Sequence, residues 1–189
     1  MSTKFPNIYV DTNVIRDCIK GRKHSVIQMM GKIKEKNCKC FTSAFTIMEF
    51  IDIEKDEIYF HKKVRIGWDM NQIIRGRMEK KLTKEELEEA NERAEVITKQ
   101  YGIEFLNLHG DGWDLASWLS SVSNIQAADI IHLATAWQSK CNLIVTSDEF
   151  FIKEASIILE ESGVLKELRI CRPEDTDKMI FSPENQNSN

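Results

Sequence analysis

Four acidic residues sit where solvation alone would rarely place them. Asp11 ends the apolar run Ile8-Tyr9-Val10, and Asp148 follows Leu143-Ile144-Val145 across Thr146-Ser147. Glu49 lies within Ile47-Met48-Glu49-Phe50-Ile51, and Asp129 within Ala127-Ala128-Asp129-Ile130-Ile131. None of the four has a Lys or Arg beside it in sequence. A carboxylate taken out of water costs several kcal/mol, on the order of the loss of a strong interaction, unless it is paired or bound to metal. A hard divalent cation would satisfy all four at once, through oxygen ligands and retained waters. Each acid alone has a plainer reading. Asp11 and Asp148 suit helix caps, Glu49 suits a solvated face, and Asp129 suits the cap of a late-starting helix. Taken together, they point to one acidic site, because ionisable clusters in clefts mark function.

The elements that must position these acids can be read from hydrophobic spacing. Ile8–Val10 predicts a buried strand, and Asp11-Thr12-Asn13 a helix start, with a helix to about residue 20 ended by Gly21. A second helix follows over 26–36, with Val26, Ile27, Met30 and Ile33 on one side. A short strand covers 39–41, and Thr42 or Ser43 caps a helix carrying Phe45, Met48 and Glu49. From 54 to 101 the chain is highly charged and has no proline. Ile58, Val64, Ile66, Ile73 and Ile74 recur at helical spacing, and Thr83-Lys84-Glu85-Glu86 has the form of a capping box. This stretch is expected to form two helices, an arm or lid on the domain. Strand, helix, helix, strand, helix and strand follow over 103–106, 113–119, 127–137, 143–145, 151–159 and 168–170. Strands separated by helices predict an α/β fold with a mostly parallel sheet. In such a sheet, reactive groups lie beyond the carboxyl ends of the strands, where Asp11 and Asp148 would meet if their strands were neighbours.

Composition narrows the class. The chain has 189 residues, 42% hydrophobic and 30% charged, as expected of a globular protein with one core. No apolar run approaches the roughly 20 residues of a membrane-spanning helix. Met1 to Pro6 lacks the apolar stretch of a secretory signal, so a cytoplasmic location without membrane contact is expected. The five cysteines, an odd number, read as reduced thiols and not as a disulfide framework or zinc site. A net charge of −4 argues against a protein that coats nucleic-acid duplexes. It leaves room for a local basic track beside an acidic site.

The strings IYVDTNV, FTSAFTIMEF, AADIIHLATA and IVTSDEFF resemble, in order, the four signature segments of the PIN domain. The similarity covers about residues 7–53 and 103–173. It implies a three-layer α/β/α fold with a central, mostly parallel five-stranded sheet and a helical arm insertion. The expected organisation is one nuclease domain over 1–175, with the arm at 54–101 inside it, and a polar tail over 176–189. The resemblance carries catalytic and metal-ligand roles for Mg²⁺ or Mn²⁺ onto Asp11, Glu49, Asp129 and Asp148, and supporting roles onto Asn13, Thr146 and Ser147. The implied activity is endoribonuclease, hydrolysing RNA to a 5′-phosphate and a 3′-hydroxyl. Among VapC-like members the implied partners are RNA, an antitoxin protein and a second copy of the chain. The 54–101 stretch is longer than the corresponding helices of compact toxin members.

Other features carry less. Lys20-Gly21-Arg22-Lys23-His24 and Arg75-Gly76-Arg77 suit phosphate contacts, which makes Lys23, Arg75 and Arg77 candidate substrate contacts. Charge runs usually just solvate a face, and that reading stays open for both. His132, three residues after Asp129, reads as a satisfied structural histidine before a ligand, since hard cations prefer oxygen. The four tryptophans sit mostly at helical core spacing. Two other functions stay open. Asp11-Thr12-Asn13 is similar to the opening motif of haloacid-dehalogenase-like phosphatases, but Asn13 stands where the second acid belongs. The fold could also serve as a non-catalytic RNA- or protein-binding module.

Overall fold

A computed structural model describes residues 6–180. Five short strands form its sheet: β1 (Ile8–Val10), β2 (Cys40–Ser43), β3 (Glu104–Leu106), β4 (Leu143–Val145) and β5 (Arg169–Cys171). Their order is β3-β2-β1-β4-β5, and every neighbouring pair is parallel. β1 is central and pairs with β4 in the register Val10↔Val145. The connections leave β1 in one direction towards β2 and return on its other side through β4. The crevice between β1 and β4 is therefore the point where strand order reverses, and such crevices collect ligands.

The alternation of side chains along the strands builds two cores. Ile8, Val10, Leu143 and Val145 face α1 (Thr12–Ile19) and α2 (His24–Glu35), where Val14, Ile15, Val26 and Met30 close the layer. Tyr9 and Ile144 face the other way, onto α6 (Asp111–Val122), α7 (Ala127–Gln138) and α8 (Glu149–Glu161). Helices on both faces make three layers, as the resemblance implied. No disulfide joins the cysteines among the described residues, and burial pushes the Cys40 and Cys141 thiols up to about 12, which keeps them unreactive. No helix among the described residues is long and apolar enough to cross a membrane.

The arm differs from the two-helix expectation. The helix that carries Glu49 does not end near residue 54 but runs unbroken as α3 (Ala44–Arg65). No Gly or Pro interrupts that span, and it stops only at Gly67, whose φ of 84° suits glycine. A short α4 (Met70–Gly76) and α5 (Lys84–Tyr101) follow, each opened by a capping box. Residues 176–180 form α9 (Thr176–Ile180), with Thr176 and Ile180 buried, while 181–189 lie outside the described residues. The tryptophan expectation is overturned as well. Trp68, Trp113 and Trp118 are exposed, and the core face of α6 is made by Leu115, Ala116 and Leu119.

Glu54 fixes the arm. Its side chain is fully buried and meets Lys20, the C-cap of α1, at 2.8 Å and Arg93 of α5 at 2.9 Å. A buried charge that loses a partner is strongly destabilising. Arg93→Met should therefore cost about 1–3 kcal/mol in urea unfolding, less than a fully orphaned charge because Lys20 remains. An unchanged midpoint would show that this triad does not hold α5 in place.

Candidate active site

Asp11 leaves the C-terminal end of β1 and caps α1, and its carboxylate is almost wholly enclosed, with 4% of the residue exposed. Oδ1 accepts the backbone N–H of Thr12 at 2.6 Å. Oδ2 accepts the Asn13 amide and the Thr146 hydroxyl, both at 2.6 Å. Asn13 in turn accepts the Ser147 backbone N–H at 3.0 Å, and the Thr146 hydroxyl oxygen accepts that of Asp148 at 3.0 Å. Asn13 and Thr146 thus clip the loop after β1 to the loop after β4. Asp148 caps α8 through the Phe151 N–H at 2.9 Å. The capping reading of these two aspartates holds, and it does not compete with their sharing a site.

Glu49 enters from the first turns of α3, which Ser43 caps. Its Oε2 accepts the Thr12 hydroxyl at 2.6 Å and His132 Nε2 at 2.7 Å. Asp129 lies in the first turn of α7, half-buried, and no side chain or backbone among the described residues donates a hydrogen bond to its carboxylate.

The electrostatics follow from this packing. Burial pushes the Asp129 carboxyl up to about 7, with the charges of Asp11, Asp148 and Glu49 adding to it and His132 opposing. Burial also raises Asp11, against the pull of His132, Thr146 and Thr12. Burial pushes Glu49 upwards too, but the hydrogen bond and charge of His132, with help from Thr12, outweigh it and hold Glu49 below the usual range. Burial depresses His132, while Glu49 and Asp11 raise it further, so the net shift is upward.

These residues suit a hard divalent ion in their donor chemistry. Asp11, Asp148 and Glu49 lie near enough to act on the charge of Asp129, whose carboxylate accepts no hydrogen bond among the described residues. The Ser147 hydroxyl beside them is buried without a hydrogen-bond partner. Among the described residues, no three His, Cys, Asp or Glu side chains close tightly enough to grip an ion as they stand. Uncompensated carboxylates repel one another, and a bound cation would draw them closer.

The basic candidates lie elsewhere. Lys23 pairs with Asp17 at 3.1 Å, and Arg77 pairs with Asp56. Arg75 is exposed, with no ion pair among the described residues. Sequence reasoning missed Tyr9 and Thr12 as parts of the site. A tyrosine in a fully buried strand was the available signal, because its hydroxyl must find a partner.

The sequence matches the PIN domain over residues 8–155. The chain belongs to the PIN-domain family. Its PIN fold is similar to a chain of the VapBC2 complex from Rickettsia felis, solved bound to a promoter DNA fragment. The TM-score is 0.52 at 13% identity, covering 87% of this chain and 98% of that one. It is also similar to a chain of FitAB bound to an IR36 DNA fragment, with a TM-score of 0.50 at 18% identity, over 88% and 95% of the two chains. Comparison with curated protein sequences finds no significant match.

The raised Asp129 has a measurable consequence for the metal-free PIN domain. Its native carboxyl keeps a proton to a higher pH than the unfolded chain does. Its ionisation therefore removes stability as pH rises from the ordinary 3.8 towards about 7, and removes none below that window. In EDTA, Asp129→Asn should melt a few degrees above the parent near pH 8 and lose that advantage near pH 4. Equal differences at both pH values would contradict the electrostatic reading.

Proposed function

We propose that this PIN domain is a divalent-metal-dependent endoribonuclease that hydrolyses RNA phosphodiester bonds at Asp11, Glu49, Asp129 and Asp148. The observation that supports the reading is the Asp129 carboxyl, raised to about 7 by burial and by the nearby charges of Asp11, Asp148 and Glu49. The four side chains would hold Mg²⁺ or Mn²⁺. When bound, the ion supplies a water of lowered pKa and neutralises charge on the departing oxygen.

The chain's own residues supply position. Thr12, Asn13 and Thr146 fix both oxygens of Asp11, so this carboxylate cannot swing away from the crevice. Thr12 also holds Glu49, which ties the first turn of α1 to α3. Asp148 keeps one oxygen on its helix cap and has the other available. No side-chain nucleophile is needed. Two relatives in fold, VapBC2 and FitAB, are two-component complexes, and this supports an antitoxin protein as partner. A homodimer, a cytoplasmic location and a single catalytic domain over 1–175 belong to the same proposal.

RNA contacts are proposed for Arg75, Arg77 and Lys23. Asp56, the partner of Arg77, lies seven residues beyond Glu49 and so on the same face of α3, two turns along. A strand leaving the acidic site along that face meets the basic end of α4, where phosphate contacts position without reading sequence.

Purified protein should cleave single-stranded RNA with Mn²⁺ or Mg²⁺ and lose activity in EDTA. Asp11→Asn keeps the shape but removes a charge, so cleavage should fall by orders of magnitude while the fold and metal-free RNA affinity persist. Cleavage at the parent rate by the folded variant, or full activity in EDTA, would reject the assignment.

A further inference from the structure

His132 is fully enclosed, and both ring nitrogens are engaged. Nδ1 lies 2.7 Å from the Tyr9 hydroxyl, and Nε2 lies 2.7 Å from Glu49 Oε2. Asp11 Oδ1 is further from Nε2, at 3.6 Å, so the donation goes to Glu49. The Phe45 and Tyr9 rings flank the imidazole with centroids at 6.0 and 5.8 Å. Because the Glu49 carboxylate can only accept, Nε2 carries the proton, and Nδ1 of the neutral ring accepts from the Tyr9 hydroxyl. Nε2 carries a proton in either charge state of the ring, so the contact with Glu49 does not depend on which state is present.

Two donors, the Thr12 hydroxyl and His132 Nε2, converge on the same oxygen of Glu49. The last torsion of a glutamate is otherwise broad and roughly two-fold. Donation to Oε2 alone stops that rotation and leaves Oε1, which accepts no hydrogen bond among the described residues, as the free ligand oxygen. His132 itself has no nitrogen to spare for a cation, and a hard ion prefers oxygen.

We propose that Tyr9 and His132 are positioning residues: the phenol of Tyr9 fixes the imidazole of His132, and His132 fixes which oxygen of Glu49 faces the metal site. The inference rests on Glu49 being a ligand of the ion proposed above. Tyr9 acts only through His132, one hydrogen bond behind the carboxylates.

The test is a double-mutant cycle read by Mn²⁺ calorimetry on folded protein, with Asp11→Asn as the reference for the metal site. His132→Leu removes the donor and should weaken Mn²⁺ binding about 10- to 100-fold, as loss of the partners behind metal ligands does. Tyr9→Phe keeps the ring and should weaken binding less. It should add nothing in the His132→Leu background, because the two act in series. His132→Gln retains an N–H donor and should recover most of the affinity. In cleavage assays the loss should fall on kcat, with KM for RNA unchanged. Should His132→Leu fail to fold, Tyr9→Phe with His132→Gln completes the comparison. Parent-like Mn²⁺ affinity in His132→Leu, or in Tyr9→Phe where His132→Leu does not fold, while Asp11→Asn loses binding, overturns the positioning proposal alone. Equal, additive losses from Tyr9→Phe in both backgrounds overturn it as well. No Mn²⁺ binding by the parent protein overturns the metal-site reading, and this inference with it.

Discussion

Negative charge gathered where water is scarce is the constraint around which this fold is arranged. Asp11 is nearly enclosed, Glu49 and Asp129 are half-buried, and Asp148 stands at the neighbouring strand end. Such a group of acids is unstable by itself, since each desolvated carboxylate raises the ionisation cost of the next. The protein answers with fixed dipoles first. Asp11 and Asp148 cap α1 and α8, and Asp129 lies in the first turn of α7. Three helix N-termini therefore direct partial positive charge at one crevice. That compensation is incomplete, because Asp129 is still raised to about 7. The residual charge is what a divalent cation would neutralise.

The surrounding architecture converts this constraint into fixed geometry. A parallel sheet sets the C-terminal ends of β1 and β4 side by side, and short hydrogen bonds through Asn13 and Thr146 hold the two following loops together. Glu49 comes from outside the sheet, so its helix must be anchored separately. Thr12 and His132 hold its carboxylate, and Glu54, five residues further on, locks the same helix to α1 and α5. The long α3 thus serves both the site and the arm. Movement of the arm would be felt at Glu49, because no break in the helix separates them.

Much of this was legible in the residues. Acids placed directly after apolar strands, or inside apolar helices, have few structural uses, and Asp11, Glu49 and Asp148 do act on the charge of Asp129. The five parallel strands followed from apolar runs alternating with helical spacing. What could not be read depended on contacts distant in the chain. Tyr9 and His132 are 123 residues apart, and nothing local announces their hydrogen bond. The basic stretch at 20–24 looked free until α3 brought Glu54 and Glu57 against Lys20 and Arg22. The change to charged sequence near residue 54 suggested a boundary. A helix responds to breakers and not to charge, and none occurs before Gly67. Tryptophan spacing misled for a similar reason, since Leu115, Ala116 and Leu119 already fill the buried face of α6.

The central claim is that these four carboxylates share one divalent ion, and the most direct measurement is anomalous diffraction from crystals soaked in Mn²⁺. A single strong anomalous peak enclosed by Asp11, Glu49, Asp129 and Asp148, held through their oxygens and water, is the result this account predicts. An intact fold at saturating Mn²⁺ with no peak in that crevice, or with the ion bound elsewhere, would contradict it.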